Sequence, residues 1–157
     1  MAPKKSGVNI PVEFSGPAQL ILFTRYGDPR EPGFEQKWIT DWFVQEQFPW
    51  YPKRQIGIHK HFRPLLENAF RDLTVMGLQD EIKTSDKGFN VRTIKGSPVL
   101  SLHSWGAAID LNATDNPTGS SGKWSKEFIE VMVNNQIFCG QNWIGRKDPM
   151  HFAMVNG

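Results

Sequence analysis

The stretch Ser101-Leu-His-Ser-Trp-Gly-Ala-Ala-Ile-Asp-Leu-Asn112 decides how the fold of this sequence is interpreted. From Gly106 onward the residues alternate with a period of two, which predicts a β-strand. The face that carries Asp110 holds only glycine and alanine beside it, so a ligand has room to approach the carboxylate. His103 precedes Asp110 by seven positions, and in a straight strand this odd separation would point the two side chains to opposite faces. We therefore expect a bend at Ser104–Gly106, for which Gly106 supplies the backbone freedom.

A second histidine lies near the end of the sequence, in Met150-His-Phe-Ala-Met-Val155. This segment also alternates and predicts a strand in which His151 shares a face with the small Ala153. Asp148 stands three residues before His151, and Pro149 favours a local bend that turns both side chains into one cleft. Two imidazoles, a carboxylate ligand and a spare acid are the groups of a catalytic zinc site. Spacing alone also permits ordinary polar residues at strand ends, because the i,i+4 histidines of the H-E-x-x-H helix are absent.

Helix and strand signals follow one another irregularly along the rest of the chain. The clearest helix is predicted over Pro64–Met76, with Gly77 as its C-terminal stop. A second helix is predicted over Lys126–Asn134, capped by Ser125. Strands are predicted over Leu20–Thr24, Phe89–Ile94, Gly106–Leu111 and Met150–Val155, whereas Phe34–Phe48 fits either structure. This order predicts an α+β fold in which a small antiparallel sheet carries the metal site and helices flank it.

Composition limits the class of protein. The 157 residues predict a single domain, 1–157, with the Pro/Gly/Ser-rich residues 1–19 as an extended N-terminal arm. A net charge of +2 provides no basic stripe for nucleic acid, and no apolar stretch reaches the ~18 residues of a membrane span. A single cysteine, Cys139, excludes an internal disulfide. Because the start of the sequence lacks the apolar segment of a secretory signal, we expect a protein made in the cytoplasm without a signal peptide. We also expect it to be a monomer.

Two separate motifs resemble one enzyme family. Residues 101–110 are similar to the S-x-H-x-x-G-x-A-x-D motif of the M15 metallopeptidases, and Asp148-Pro-Met-His151 resembles the second signature of that family. Gly88-Phe-Asn-Val-Arg92 is a further family-like block. The resemblance extends from Tyr26 to Phe152. It is closest to the phage endolysins that act as L-alanyl-D-glutamate endopeptidases, and it includes the D-alanyl-D-alanine carboxypeptidases.

The resemblance implies roles for individual residues. It implies one zinc ion per chain, held by His103, Asp110 and His151, with Asp148 as the general base. Arg92 matches the family arginine that binds a substrate carboxylate or the developing oxyanion. From the residues alone, Arg92 could instead form a surface salt bridge and Asp148 could instead form a turn before proline, so those alternatives stay open.

Further residues are expected at the edge of the site. Ser101 matches the motif serine and is expected to orient the metal ligands without touching the metal. Trp105 and Trp143 flank the motifs and are predicted either to line a substrate cleft or to pack in the core. The sequence departs from the family pattern at Phe138-Cys-Gly-Gln141 and at Ala153, two positions that concern the shape of the substrate pocket.

The remaining candidate ligands are expected to be bystanders. His59 and His61 form a His-Lys-His pair whose i,i+2 spacing beside a helix start is typical of a solvated face. Cys139 is a residue type that binds zinc, but it stands alone and is predicted to be buried as a small apolar side chain.

The resemblance implies a zinc-dependent peptidase that hydrolyses a stem-peptide bond of peptidoglycan, with a hedgehog/D-Ala-D-Ala peptidase-like fold. We expect an L-alanyl-D-glutamate endopeptidase that acts on the cell wall after release, as in phage lysis. One alternative is a D-alanyl-D-alanine carboxypeptidase or dipeptidase. Another is a zinc-bearing, non-catalytic binding module like the hedgehog signalling domain, which loss of the base would favour; Asp148 is present.

Overall fold

The structure, a computed structural model, describes residues 9–157. Its helices are α1 (Pro17–Tyr26), α2 (Phe34–Trp38), α3 (Val44–Gln47), α4 (Arg63–Met76) and α5 (Lys126–Asn134). Its strands are β1 (Ile39–Trp42), β2 (Ile56–His59), β3 (Ser85–Lys87), β4 (Ala108–Leu111), β5 (Phe138–Gly140) and β6 (Asp148–Ala153). No helix within this range is long and apolar enough to cross a membrane.

The N-terminal part of the chain differs from its prediction. Residues 1–8 of the predicted arm lie outside the described residues. From Val12 the chain is not extended, since Val12–Phe14 form a 3₁₀ turn and α1 follows at Pro17, a residue that suits the first helical position. The Phe14 ring stacks on Phe23 of α1 with 4.1 Å between ring centroids. The prediction of an extended arm is therefore wrong over these residues, and the strand predicted in the same region is part of α1.

Two antiparallel sheets organise the described strands. Strands β1 and β2 form a hairpin, and the second sheet has the order β3-β4-β6-β5. The α+β fold with an antiparallel sheet flanked by helices is thus confirmed. The strand predicted over Phe89–Ile94 is wrong, since that segment contributes only an isolated bridge between Thr93 and Leu100. The ambiguous segment Phe34–Phe48 forms α2, β1 and α3 in turn.

The two faces of the four-stranded sheet carry different side chains. Ile109 and Leu111 of β4 and Phe152 of β6 belong to the main core, together with residues of α4 and α5 such as Phe70 and Phe128. Because side chains alternate along a strand, Asp110 and His151 face the other way. On that other face Ala108 and Ala153 pack in a second apolar cluster, whereas Asp110 and His151 line a cavity.

Both predicted long helices are confirmed at their ends. Helix α4 begins one residue before the predicted Pro64 and ends at Met76, followed by Gly77 in the left-handed conformation, with φ of 72°. Helix α5 has the predicted bounds. The Ser125 hydroxyl accepts a hydrogen bond from the Phe128 backbone N–H at 3.1 Å, as a capping serine should.

Candidate metal centre

Two neighbouring strands bring Asp110 and His151 together. In the register of β4 against β6, these residues are direct cross-strand partners, so their side chains emerge side by side on the same face. The nearest imidazole nitrogen of His151, Nδ1, lies 4.0 Å from Asp110 Oδ1. The pairing therefore supplies one carboxylate and one imidazole without any contribution from a loop.

A tight turn supplies the second imidazole. Leu102–Trp105 form a 3₁₀ turn that starts with the Ser101 hydroxyl accepting from the His103 backbone N–H at 3.2 Å. The turn ends at Gly106, whose φ of 67° belongs to the left-handed region that glycine adopts without strain. This geometry is the predicted bend, and it places His103 Nε2 3.3 Å from Asp110 Oδ1.

Backbone carbonyls fix the orientation of both rings. His103 Nδ1 lies 2.9 Å from the Gly88 carbonyl oxygen, and His151 Nε2 lies 3.0 Å from the Gly157 carbonyl oxygen. A carbonyl can only accept, so in each neutral ring the nitrogen facing the carbonyl carries the proton. The lone pairs of His103 Nε2 and His151 Nδ1 therefore both point towards Asp110, as in metal sites whose histidines are held by outer hydrogen bonds.

The three side chains form a donor set that matches a cation. Their ligand atoms all lie within 4.8 Å of one another, and His103, Asp110 and His151 are only 2%, 6% and 7% exposed. Two neutral imidazole lone pairs and a carboxylate would repel one another at these distances unless a proton or a metal ion lay between them. Tetrahedral zinc, with bonds of about 2.0–2.2 Å, spaces its ligand atoms by roughly 3.3–3.6 Å. The 3.3 Å between His103 Nε2 and Asp110 Oδ1 falls in this range, whereas the 4.0 Å to His151 Nδ1 is wider, so the three residues could hold a metal ion such as zinc after a small closure of the site.

The pKa values of Asp110 and His151 are shifted in the directions expected for metal ligands. In the absence of a metal, burial alone would raise the pKa of Asp110, but the hydrogen bond and positive charge that a protonated His103 supplies, with the charges of His151 and Arg92, outweigh burial and lower that pKa. Burial, with the nearby His103, lowers the pKa of His151. Both shifts favour an ionised carboxylate beside a neutral imidazole, which are the forms that bind a metal.

A bulge in β6 brings Asp148 to the same cavity. Cys139 pairs with Phe152 and Gly140 with Asp148, so the register slips between these pairs. Pro149 lies within the slip, has no N–H to donate to the ladder, and its carbonyl accepts from the Trp124 indole at 2.7 Å. Asp148 lines the same cavity as the three ligands, and its Oδ1 accepts from the Thr118 hydroxyl at 3.1 Å.

Arg92 also lines this cavity, and its backbone is held by the histidine turn. The Ser104 hydroxyl donates to the Arg92 carbonyl at 2.8 Å and accepts from the Arg92 N–H at 3.0 Å. The Ser101 N–H donates to the same carbonyl at 2.9 Å. No carboxylate among residues 9–157 lies within 4.0 Å of the Arg92 guanidinium, so the structure gives no support to a salt bridge.

The two tryptophans beside the motifs have different surroundings. Trp143 lines the cavity, and its ring centroid lies 5.4 Å from that of His151. Trp105 is 0% exposed, donates its indole N–H to the Gly27 carbonyl and packs against Phe14. Of the two positions predicted for Trp105, the structure shows packing in the core, because the 3₁₀ turn that aims His103 at Asp110 sends Trp105 inward.

The bystander residues also divide. Cys139 is buried, and burial raises the pKa of its thiol to about 12, as the packing interpretation predicts. His61 is exposed, but His59 is 0% exposed, so its predicted solvated position is wrong. The physical reason is a close backbone contact, since the His59 N–H donates to the Gly106 carbonyl at 2.8 Å.

Several residues that shape the centre were not found from the sequence. Gly88 and Gly157 act through their carbonyls, which every residue type possesses, so no side-chain signal marks them. Ser104 could have been found, since a serine inside the histidine motif is placed to bond a neighbouring backbone. Thr118 belongs to a Pro-Thr-Gly turn with no link in sequence to Asp148.

A buried His–Asp–His group open to a cavity is the type of site that metal-dependent hydrolases use. Residues 95–154 match the family model described as D-alanyl-D-alanine carboxypeptidase, within the M15 peptidases. The match supports an M15 family peptidase, and the matched segment includes His103, Asp110, Asp148 and His151. This confirms the predicted family, and Arg92 lies just outside the match. No curated protein and no solved structure gives a significant match to the chain.

Proposed function

We propose that this protein is a zinc-dependent peptidoglycan peptidase that cuts the L-alanyl-D-glutamate bond of stem peptides. The observation that carries the proposal is the convergence of three lone-pair donors, His103 Nε2, Asp110 Oδ1 and His151 Nδ1, in a segment that matches the M15 peptidases. A metal ion would let both imidazoles face the carboxylate as neutral ligands, whereas without a metal a proton must lie between these groups.

Each residue at the centre has a distinct task in this proposal. A bound zinc ion supplies Lewis acidity and makes water a better acid. Asp148 takes the proton of the attacking water and returns it to the leaving amine. Arg92 holds negative charge with its fixed set of donors, either the oxyanion that develops at the scissile carbonyl or a substrate carboxylate.

The size of the cavity favours an endopeptidase over a carboxypeptidase. The cavity has a volume of about 960 Å³, near the upper end of the range of roughly 300–1,000 Å³ for ligand sites. A D-alanyl-D-alanine end would occupy a small part of that space, whereas a stem peptide inside a wall fragment needs room on both sides of the scissile bond. The alternative remains a D-alanyl-D-alanine carboxypeptidase or dipeptidase, the activity for which the matching family model is named.

Mass spectrometry of fragments released from purified peptidoglycan tests the proposal. Zinc-loaded protein should create new N-terminal D-glutamate, whereas release of free D-alanine would select the carboxypeptidase. Full lysis by protein stripped of metal would contradict a metal mechanism. Stoichiometric zinc with no bond cut in any peptidoglycan would favour the non-catalytic binding module. The same proposal includes action on the wall after release from the cytoplasm. Protein added to the medium should therefore lyse only cells whose wall is exposed to that medium.

A further inference from the structure

The cavity around the metal centre carries an excess of positive side chains. Its cationic residues are Lys87, Arg92, Lys95 and Arg146. No carboxylate among residues 9–157 lies within 4.0 Å of any of these four charges. The carboxylates of the cavity wall are Asp110, a proposed metal ligand, and Asp148, the proposed base. Four cationic side chains against two carboxylate side chains favour an anionic substrate.

The exposed Arg146 side chain lies beside the backbone of Gly119. A Cβ placed on Gly119 would lie 3.4 Å from Arg146 Cζ, so the guanidinium packs closely on the Gly119 backbone. Gly119 has a φ of 91°, and its N–H donates to the Lys147 carbonyl at 2.7 Å. The adjacent Thr118 donates to Asp148. The same turn therefore contacts both the proposed base and Arg146.

Lys147, the residue after Arg146, has a structural role in this loop. Lys147 Nζ donates to the Gln141 carbonyl at 3.0 Å and to the Trp143 carbonyl at 2.6 Å. Its ammonium group is thus used to close the loop that presents Trp143. The Arg146 guanidinium makes no hydrogen bond within residues 9–157, so its donors stay available to a ligand.

Lys95 adds a second available charge from another segment. It lies in a tight turn in which the Ser97 N–H donates to the Ile94 carbonyl at 2.9 Å and the Ile94 N–H to the Val99 carbonyl at 2.8 Å. The turn is tied to the strand-like segment that carries Arg92 through the bridge between Thr93 and Leu100. Its position is therefore fixed relative to the proposed oxyanion-binding residue.

We propose that Arg146 and Lys95 form a subsite that recognises a free carboxylate beside the scissile bond. The protein then prefers stem peptides whose D-glutamate α-carboxylate is free over those in which it is a carboxamide. A guanidinium suits this task because its parallel N–H groups bind both oxygens of a carboxylate, whereas a carboxamide offers one acceptor and no charge. The inference rests on the proposed function, since it names the substrate class of that site.

Binding of two product-like dipeptides to the zinc-loaded protein tests the subsite without relying on turnover. The dipeptides are γ-D-glutamyl-L-lysine and its α-carboxamide, D-isoglutaminyl-L-lysine, and titration calorimetry measures each Kd. The carboxylate form should bind about 10- to 100-fold more tightly, the usual worth of a charge-assisted pair. Arg146→Gln and Lys95→Gln together should bring the two Kd values within about threefold, mainly by weakening the carboxylate form.

The matched control is Arg71→Gln, which removes an exposed arginine of α4 outside the cavity and should leave the ratio unchanged. Equal Kd values in the unaltered protein, no binding of either dipeptide, or a ratio that survives the double substitution would overturn the subsite. Hydrolysis of L-alanyl-γ-D-glutamyl-L-lysine, followed in parallel, reports on the proposed function separately. Cleavage with equal dipeptide affinities rejects the subsite alone, whereas discrimination without cleavage of any peptide or wall rejects the peptidase.

Discussion

The protein contains two pairs of histidines at nearly the same spacing, and only one pair is arranged to bind a metal. The ring centroids of His103 and His151 are 5.9 Å apart, and those of His59 and His61 are 5.2 Å apart. Both pairs include at least one buried ring. Separation between imidazoles therefore does not distinguish a metal site from a packed cluster in this fold.

The difference lies in what occupies the other nitrogens. At the centre, carbonyls take the outer N–H of each ring and both lone pairs face Asp110. In the second pair, His59 Nδ1 accepts the His61 backbone N–H at 3.0 Å, and His61 Nδ1 lies 2.9 Å from the Tyr26 hydroxyl. No carboxylate among residues 9–157 lies within 4.0 Å of either of these rings.

The second pair has aromatic rather than ionic surroundings. The His59 ring lies 4.1 Å from the Tyr26 ring and 5.3 Å from the Trp38 ring between centroids. Its Nε2 has no hydrogen-bond partner in the described part of the chain. Burial, with the charges of His61 and Lys60, lowers the pKa of His59 to about 3. The comparison teaches that a carboxylate and two outward carbonyls, rather than the imidazoles themselves, make a histidine pair a metal site.

The largest expected effect is loss of metal from one pair only. His103→Ala removes one of the three proposed ligands and should abolish stoichiometric zinc binding. Activity should fall by more than the roughly 10- to 100-fold that is lost when a hydrogen-bond partner of a metal ligand is removed. His61→Ala should keep full zinc content. Metal analysis of both purified proteins checks this. Equal zinc in the two variants would contradict the assignment of the centre.

Loss of the proposed base should separate turnover from metal binding. Asp148→Asn should keep zinc but reduce kcat by about 10²- to 10⁴-fold, the usual contribution of general acid–base catalysis. Asp80→Asn, at an exposed position outside the cavity, is the matched control and should behave as the unaltered protein. Rates of stem-peptide hydrolysis measure the effect. A near-normal rate in Asp148→Asn would make Asp148 a structural residue.

A glycine substitution tests whether the outer carbonyls matter. A Cβ on Gly88 would lie 2.5 Å from the Gly57 carbonyl oxygen, so Gly88→Ala must displace the carbonyl that accepts from His103. Zinc affinity should fall about 10- to 100-fold. Gly57→Ala is the control from the same contact, because its Cβ would meet no atom closer than 3.7 Å. Competition with a chelator measures the zinc affinities of both variants. Equal affinities would show that the Gly88 carbonyl does not contribute to zinc binding.

The smallest effect concerns pH and the second pair. Folded His59 stays neutral down to about pH 3, whereas the unfolded imidazole takes a proton near its ordinary pKa of 6.5. The unfolding free energy of metal-free protein should therefore be highest above pH 6.5 and fall on acidification, by at most about 1.4 kcal/mol per pH unit for this group.

His59→Asn keeps an acceptor for the His61 N–H and should flatten that slope. Denaturant unfolding at pH 7, 6 and 5 measures the slope in both proteins. His151, whose pKa burial also lowers, contributes to the slope that remains. An unchanged slope in His59→Asn would mean that His59 titrates normally in the folded protein.

Local sequence signals predicted the parts of the centre that local geometry determines. The alternation around Asp110, the bend ending at Gly106 and the capped helix α5 each depend on neighbouring residues, and each is present in the structure. Helix α1 was misread because Leu20-Ile-Leu-Phe is an apolar run that suits a strand equally well. Its helical state depends on Pro17 at the start and on packing against Phe14.

Features that depend on distant contacts could not be predicted. His59 is buried because the backbone of Gly106 approaches it, and nothing near position 59 records that contact. The short strand β5 has only three residues, Phe138–Gly140. A Cβ on Gly140 would overlap the Asp148 carbonyl oxygen. This glycine is therefore required by the bulge in the partner strand β6, which residues near position 140 do not indicate.

The bulge in β6 makes catalysis and metal binding separable in evolution. Within residues 9–157, Asp148 bonds Thr118 through its side chain and makes no hydrogen bond to the three candidate ligands. A single codon change at position 148 would therefore remove the proposed base and leave the three candidate ligands in place. Descendants of such a chain could bind the substrate of their ancestors without cutting it, and one point mutation would be enough for that change.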